Sequence, residues 1–152
     1  MSAEAPALCD DPSSADAADA WRRHTLTATR EIAAAVGPIL ESLNRLGYAE
    51  SDIFAIRLAL EEALANAVKH GHGGDPSKQV RLRYQISEER FLAEVEDQGA
   101  GFDPSAVADP LDPAHWGRDG GRGVFLMRHY MTAVCYNRAG NCVTLCKRRG
   151  PA

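Results

Sequence analysis

The chain has 152 residues, 45% hydrophobic and 25% charged, which is the composition of one globular domain large enough for a sizeable core. Its net charge of −4 gives no general basic surface, so we expect no direct binding to nucleic acid or to an anionic membrane. No apolar run approaches the ~18 residues that a membrane span needs, and the N-terminus lacks the pattern of a secretory signal, so a cytoplasmic location is expected.

The first elements in the chain are a tail, a strand and a helix. Residues 1–20 are rich in Ala, Asp, Ser and Pro, which predicts a disordered N-terminal tail and leaves residues 21–149 for the folded domain. A short strand is predicted from Trp21 to Ala28, because β-branched and aromatic residues recur there. A helix follows from Arg30 to about Leu46, with a kink or a break expected at Pro38 because proline removes one backbone donor.

The second predicted helix, from Glu50 or Ser51 to about His70, has the most informative pattern in the sequence. Apolar residues at helical spacing predict a buried face at Ile53, Ile56, Leu60, Ala63, Leu64 and Ala67. Another apolar side, at Phe54, Leu58 and Ala65, indicates that the helix is covered over most of its surface. Glu62, Asn66 and His70 recur at i, i+4 and i+8 and form one narrow polar stripe. Such groups are costly to bury unless they satisfy one another or face a ligand.

The second half of the chain is predicted to be mostly strand. Alternating hydrophobicity predicts an antiparallel hairpin, while residues 105–119 show no periodicity and have the length of a lid over a site. The further predicted elements are a helix over 124–131 and strands over 132–137 and 141–147, following hairpin strands over 78–87 and 91–97. This order indicates a two-layer α/β sandwich, with a mixed, mostly antiparallel sheet and helices on one face.

Two glycine motifs follow predicted regular elements. Asp97-Gln98-Gly99-Ala100-Gly101 comes directly after a strand, where glycine lets the backbone approach a ligand and the carboxylate can accept from an amine. A tight turn with a capping Asp is the alternative. Gly120-Gly121-Arg122-Gly123 opens a helix, whose free N–H groups favour phosphate, unless the segment is a flexible connector. This segment matches neither a Walker A loop nor the Rossmann pattern.

Other site chemistries find little support. His70 and His72 have no third ligand at a regular spacing, so a transition-metal site is not expected. The four cysteines form no Cys-x-x-Cys pair, and buried free thiols are expected. Ser, His and Cys residues show no defensible nucleophile–base arrangement, which disfavours a hydrolase. The basic run Lys147–Arg149 is interpreted as a solvated tail.

In combination, the motifs resemble the N, G1 and G2 boxes of the GHKL ATPase superfamily, which includes gyrase, Hsp90, histidine kinases and MutL. The three motifs, in the superfamily's order, are Glu62-x-x-x-Asn66, Asp97-x-Gly99-x-Gly101 and Gly121-x-Gly123. Residues 24–148 are most similar to the single-domain anti-sigma-factor serine kinases of the SpoIIAB/RsbW type. The resemblance implies the Bergerat fold and binding of ATP with Mg²⁺.

The resemblance also implies a role for each matched residue. Asn66 matches the asparagine that holds Mg²⁺, Glu62 the general base, and Asp97 the residue that reads the adenine amine. Cys142 stands where relatives often carry Thr near the adenine. The remaining residues matched or assigned to the nucleotide are Gly99, Gly101 and Phe102 along it, Gly121 and Gly123 at the triphosphate, Lys69, Arg118 and Arg122 as phosphate cations, and His70 at the helix end.

Two functions are compatible with these residues. The first is an ATP-dependent protein serine/threonine kinase that phosphorylates an anti-anti-sigma (STAS) protein, with a sigma factor as a possible second partner and a homodimer as the expected assembly. The second is a catalytically silent ATP-binding module that binds a protein partner. The sequence favours the kinase, because a binding module needs Asn66 and Asp97 but has no use for a base such as Glu62. An α/β protein without a ligand is the third, least informative interpretation.

Overall fold

The computed structural model describes residues 21–71, 78–99, 121–137 and 140–150. The predicted tail at 1–20 and the predicted lid at 105–119 lie outside these residues. No helix in the described ranges is long and apolar enough to cross a membrane.

Five strands form one sheet in the order β1-β2-β3-β5-β4. They are β1 Arg22–Leu26, β2 Val80–Ile86, β3 Arg90–Glu96, β4 Ala133–Tyr136 and β5 Cys142–Arg148. Every neighbouring pair is antiparallel, so the predicted antiparallel sheet is confirmed, and the described strands include no parallel pair that would make it mixed. The predicted hairpin is the central pair β2–β3.

The register places most apolar residues of the central strands on one face, while Leu92 belongs to a small buried cluster on the other face. Tyr84 lies opposite Ala93, and Ala93 lies opposite Leu145 on the other side of β3. Since side chains alternate along a strand, these three residues share the face that the helices cover, and all three are buried. The other face carries the charged residues of the hairpin, including the ion pair between Arg83 and Glu94, whose Nε and Oε2 are 2.6 Å apart.

In the part of the chain that the structure describes, three α-helices cover the apolar face of the sheet. They are α1 Ile32–Arg45, α2 Glu50–Asn66 and α3 Gly121–Tyr130, and a short 3₁₀ turn over Thr29–Glu31 leads into α1. The core between the layers includes the fully buried Leu60 of α2, Met127 of α3 and Phe91 of β3. This arrangement is the predicted two-layer α/β sandwich.

Helix α1 continues through Pro38. The predicted break is wrong because the proline is exposed and so is Ala34, whose carbonyl loses its helical partner and can bind water instead. The Ser42 hydroxyl also donates to the Pro38 carbonyl over 3.0 Å, one turn further along the same exposed side.

The end of α1 is fixed by a Schellman motif. Gly47 has a φ of 80°. The Tyr48 N–H donates to the Leu43 carbonyl over 3.1 Å, and the Gly47 N–H donates to the Asn44 carbonyl over 3.0 Å. Tyr48 is buried and its hydroxyl donates to the Ser87 carbonyl over 2.6 Å, so the helix end is tied to the β2–β3 turn.

The basic run at the end of the chain belongs to the fold and is no solvated tail. Lys147 is in β5, and its Nζ donates to the Tyr130 carbonyl over 2.8 Å. The Arg149 guanidinium lies over the Tyr48 ring, 4.9 Å from its centre, and donates to the Gly47 carbonyl. The next residue, Gly150, donates its N–H to the buried Asp52 carboxylate over 2.9 Å.

One side of α2 is less covered than its apolar residues indicate. Phe54, on the second apolar side that was expected to be covered, is 46% exposed. Its ring meets Tyr130 of α3 edge-on at 5.7 Å, and the Arg57 guanidinium lies 5.7 Å from its centre. The Phe54 ring therefore contacts α3 on one side and remains partly exposed to solvent.

Candidate functional site

The polar stripe of α2 lies where the helix emerges from the core. Ala55 and Ala59, which continue the stripe towards the N-terminus, are 2% and 0% exposed. Glu62 and Asn66 are both partly exposed. Because they are four residues apart on a regular helix, the carboxylate and the amide stand one above the other, as predicted.

Neither polar group of the stripe is satisfied within the described part of the chain. There, Glu62 makes no hydrogen bond or ion pair, and the Asn66 amide has no partner either. Mutual satisfaction of the two groups, one of the two explanations for the stripe, is therefore not observed. A half-buried carboxylate and amide without partners are suited to a polar ligand from outside the chain.

A π-helical turn over Ala67–Gly71 begins directly after Asn66. The helix was predicted to continue regularly to His70, and its length is right, but its last turn is wider. Ala67 and Val68 are buried, and Lys69 is exposed at this turn. Single π turns occur frequently at functional sites. No residue pattern in the sequence predicts this π turn.

The second element of the site is the end of β3. The Asp97 N–H donates to the Asn141 carbonyl over 2.9 Å, and the Asp97 Oδ1 accepts from the Gly99 N–H over 2.8 Å. The tight turn, one of the two interpretations of this motif, is therefore present. The turn does not exclude the other interpretation, because a carboxylate has about four acceptor positions and Gly99 takes one of them.

The helix stripe and the strand end are on the same side of the sheet. Asp97 continues the row of Ala93 and Val95, whose side chains face the helices. Helix α2 packs directly on β3 and β5, and the π turn packs on β2. Glu62, Asn66 and Asp97 are therefore all on the side of the sheet that the helices cover.

The third element is the start of α3. Gly121 and Gly123 lie in the first turn of this helix, so the predicted glycine segment does open a helix, three residues earlier than expected. Helix α3 packs against α2. Its first turn offers backbone N–H groups without helical partners, which is the arrangement that favours phosphate.

Several predicted site residues cannot be placed. Gly101, Phe102 and Arg118 lie outside the described residues. For His70 and Arg122, the structure describes the backbone, in the π turn and in the first turn of α3. Their proposed roles stay predictions.

Cys142 is the first residue of β5, and its expected place near an adenine stays a prediction. It lies opposite Glu96 in the β3–β5 register, on the face of the sheet away from the helices, whereas Val143 faces the helices. Burial raises the pKa of Cys142 to about 11, and the nearby carboxylates of Glu94 and Glu96 add to the rise. The thiol is therefore neutral near pH 7, and it lies on the face of the sheet opposite to helix α2 and its polar stripe.

The other cysteines fit the expectation in part. Cys146 is a buried free thiol, and Cys142 is also free. Cys135 is disulfide-bonded, so the expectation of free thiols is wrong for that residue.

The donor set of the stripe fits Mg²⁺ bound together with phosphates. Within the described ranges no three His, Cys, Asp or Glu side chains form a cluster that could hold a metal ion. Asn66 provides one neutral amide oxygen that has no hydrogen-bond partner among the residues that the structure describes. Mg²⁺ commonly takes one or two protein oxygens, keeps several waters and completes its shell with substrate phosphates.

Comparison with known proteins identifies a family. Residues 24–147 match the histidine kinase-like ATPase domain. The serine-protein kinase RsbW of Bacillus subtilis is 32% identical over 111 residues, which are 68% of this chain and 69% of that protein. RsbW of Bacillus licheniformis is 33% identical over 97 residues, 60% of this chain and 61% of that protein. The chain thus spans under two thirds of the length of several of these relatives.

A solved structure has the same fold. The RsbU and RsbW domains of a Mycobacterium tuberculosis protein superpose with a TM-score of 0.54 at 20% identity, covering 86% of this chain and 34% of that one. At this identity the likeness supports the fold alone.

Proposed function

This chain belongs to the histidine kinase-like ATPase domain family, of the anti-sigma-factor kinase type, and from that premise we propose that it is a protein serine/threonine kinase that uses Mg-ATP. The observation that carries the proposal is the pair Glu62 and Asn66, one turn apart on α2, half-buried and without partners in the described part of the chain. One offers a base and the other a metal ligand, which together are what phosphoryl transfer to a hydroxyl requires.

Glu62 is the proposed general base. A serine hydroxyl loses its proton as it attacks the γ-phosphate, and a carboxylate at the edge of the core can accept that proton. Its neighbour Glu61 is exposed, on a different side of α2, and has no role in the proposal. A module that only binds ATP needs no such base, which is why the catalytically silent alternative ranks second.

Asn66 is the proposed protein ligand of Mg²⁺. The metal, when bound, would offset the negative charge of the triphosphate. Lys69, exposed on the following π turn, is proposed as an additional phosphate cation, and Arg118 and Arg122 are proposed for the same task. The N–H groups of the first turn of α3, with Gly121 and Gly123, would receive the triphosphate end.

Asp97 is proposed to recognise adenine. Its carboxylate can keep the hydrogen bond from Gly99 and still accept from the exocyclic amine of ATP. Gly99, Gly101 and Phe102 are proposed to lie along the nucleotide. Guanine has a carbonyl where adenine has that amine, so the proposed contact disfavours GTP by opposing two acceptors.

The proposed protein substrate is a STAS-domain anti-anti-sigma protein, with a sigma factor as a possible second partner. The support is the similarity to the RsbW serine-protein kinases together with the retained Glu62. A homodimer and regulation of transcription by partner switching belong to the same proposal. So does a cytoplasmic location, where a supply of ATP and such partners would be met.

Nucleotide titration tests the binding part of the proposal. We expect calorimetry with Mg²⁺ to detect ATP binding, and GTP binding weaker by about tenfold or more. Asp97→Asn should weaken ATP binding. If the amide oxygen keeps the hydrogen bond from Gly99, the amide NH2 group faces the adenine amine, and two donors then oppose each other. Glu96→Gln, an exposed neighbour on the other face of the sheet, is the control and should bind as the wild type does. Equal affinity of Asp97→Asn and wild-type protein for ATP would contradict the assigned role.

A further inference from the structure

Within the described part of the turn between β4 and β5, the Asn137 side chain makes three hydrogen bonds. Its Oδ1 accepts from the backbone N–H groups of Asn141 and Cys142, over 3.0 and 3.2 Å. Its Nδ2 donates to the Asn141 Oδ1 over 2.7 Å. Backbone bonds from Asn137 to Cys142 and from Gly140 to Asn137 complete the turn. Asn141 is therefore fixed at both its peptide nitrogen and its side chain.

The same turn continues to the strand end that carries Asp97. The ordered register between β3 and β5 ends at the pair of Glu96 and Cys142. Beyond that pair, the Asp97 N–H donates to the Asn141 carbonyl over 2.9 Å, and Asp97 in turn accepts from the Gly99 N–H. The hydrogen bonds thus run from Asn137 through Asn141 to the backbone N–H of Asp97, the residue whose carboxylate accepts from Gly99.

We propose that Asn137 is a positioning residue for nucleotide recognition, which acts through Asn141 on Asp97. This inference rests on the proposed function, since it takes Asp97 as the residue that reads the adenine amine. Asn137 lies on the turn, and its side-chain hydrogen bonds go to Asn141 and Cys142. Its effect is to fix the peptide that provides the last backbone bond of β3, and thereby the direction in which the Asp97 carboxylate points.

The exposure of the turn makes this role testable apart from folding. Asn137 is exposed, and the sheet on either side of the turn has its own ladder of backbone bonds. Loss of the side chain should therefore loosen Asn141 and Asp97 while the buried core keeps its packing. The Asn137–Asn141 pair was not singled out from the sequence, although an Asn four residues before another, around a glycine turn, is a recognisable signal.

The test compares Asn137→Ala and Asn137→Asp with the wild type. The Asp variant keeps an acceptor for both N–H groups, and the Asn141 amide can turn to donate to the introduced carboxylate. Asn44→Ala is the control, because Asn44 is an exposed asparagine of α1 whose side chain makes no hydrogen bond among the described residues. The measurements are ATP affinity with Mg²⁺ by calorimetry, hydrogen exchange of the Asp97 amide without nucleotide, and the thermal midpoint.

We expect Asn137→Ala to weaken ATP binding by about three- to tenfold and to speed exchange of the Asp97 amide, the size that follows from one or two lost hydrogen bonds. Asn137→Asp should restore both, and Asn44→Ala should match the wild type. Unchanged ATP affinity in Asn137→Ala would overturn the proposal, as would an Asp variant as weak as the Ala variant. Wild-type protein that binds no ATP would overturn the proposed function and the nucleotide role of Asn137 together. Unchanged exchange at Asp97 would refute the link to Asn141 alone.

Discussion

Replacing Gly47 with alanine should destabilise the fold through the end of α1. At a φ of 80°, a residue with a Cβ costs about 1–2 kcal/mol relative to glycine. The same Cβ would stand 3.2 Å from Arg149 Nη2, which is tighter than an ordinary contact. The guanidinium donates to the Gly47 carbonyl over 2.8 Å and lies over the Tyr48 ring, so its displacement weakens two further contacts.

The expected loss follows from adding these terms. The exposed hydrogen bond and ring contact of Arg149 are together worth about 0.5–1 kcal/mol, which gives a total loss of about 1.5–3 kcal/mol. For a chain of this length, that loss should lower the thermal midpoint by about 5–10 °C. Asparagine tolerates a positive φ better than alanine does, so Gly47→Asn should lose about half as much unfolding free energy as Gly47→Ala.

Urea unfolding and thermal melting of matched variants test this reasoning. Gly37→Ala is the control, because a Cβ at Gly37 meets nothing within 4 Å. In Gly37→Ala the gain in helix propensity is opposed by the clash with the following Pro38. The free energy of unfolding should therefore change by no more than about 0.5 kcal/mol. If Gly47→Ala and Gly37→Ala had the same stability, the argument from φ and from Arg149 would be refuted.

Two further predictions concern buried polar groups. Burial raises the pKa of both Tyr48 and Tyr136 to about 12, above the ordinary value of 10.0, so the stability they contribute is complete below pH 10 and is lost as the pH rises towards 12. Unfolding free energies measured by urea between pH 9 and 12 should fall less steeply in a variant with phenylalanine at both positions, and equal slopes would contradict this. Asp52→Ala should cost about 2 kcal/mol in urea unfolding, since it removes a buried acceptor of the Gly150 N–H and a charge in the first turn of α2. Asp52→Asn should cost less. If Asp52→Ala had the same unfolding free energy as the wild type, the contact with Gly150 would contribute nothing to stability.

The central elements could be predicted because their pattern is local. The alternation Val80, Leu82, Tyr84 against Arg81 and Arg83 has the period of a strand and survives in the sheet as a buried and an exposed face. Helix α2 follows in the same way from its spacing of apolar residues. Each of these patterns is contained within about ten to twenty consecutive residues, so it can be recognised without knowledge of distant contacts.

Contacts between distant parts of the chain could not be predicted. Gly150 binds Asp52, 98 positions earlier, and Arg149 binds Gly47, 102 positions earlier. Nothing near Lys147–Arg149 indicates these partners, so the run was interpreted as a solvated tail. Likewise, Phe54 contacts Tyr130 of α3 and is still 46% exposed, and no local pattern indicates how far α3 covers α2.

Part of the candidate site follows from spacing and part does not. The separation of Glu62 and Asn66 places them on one line, whatever the rest of the fold. The π turn after Asn66 is different, because α and π turns differ in one hydrogen-bond register and the residues Ala67–Gly71 are compatible with both. The facing of Cys142 depends on the start of β5, and a shift of one residue in a strand reverses the face.

Phosphoryl transfer by Glu62→Gln and Glu61→Gln tests the central claim most directly. The two adjacent carboxylates differ in position, since Glu62 belongs to the stripe and Glu61 is exposed. With ATP labelled in the γ-phosphate and a purified STAS protein as acceptor, Glu62→Gln should bind Mg-ATP normally and transfer phosphate about 10²–10⁴-fold more slowly than the wild type. Glu61→Gln should transfer at the wild-type rate. Wild-type transfer by Glu62→Gln would contradict the account.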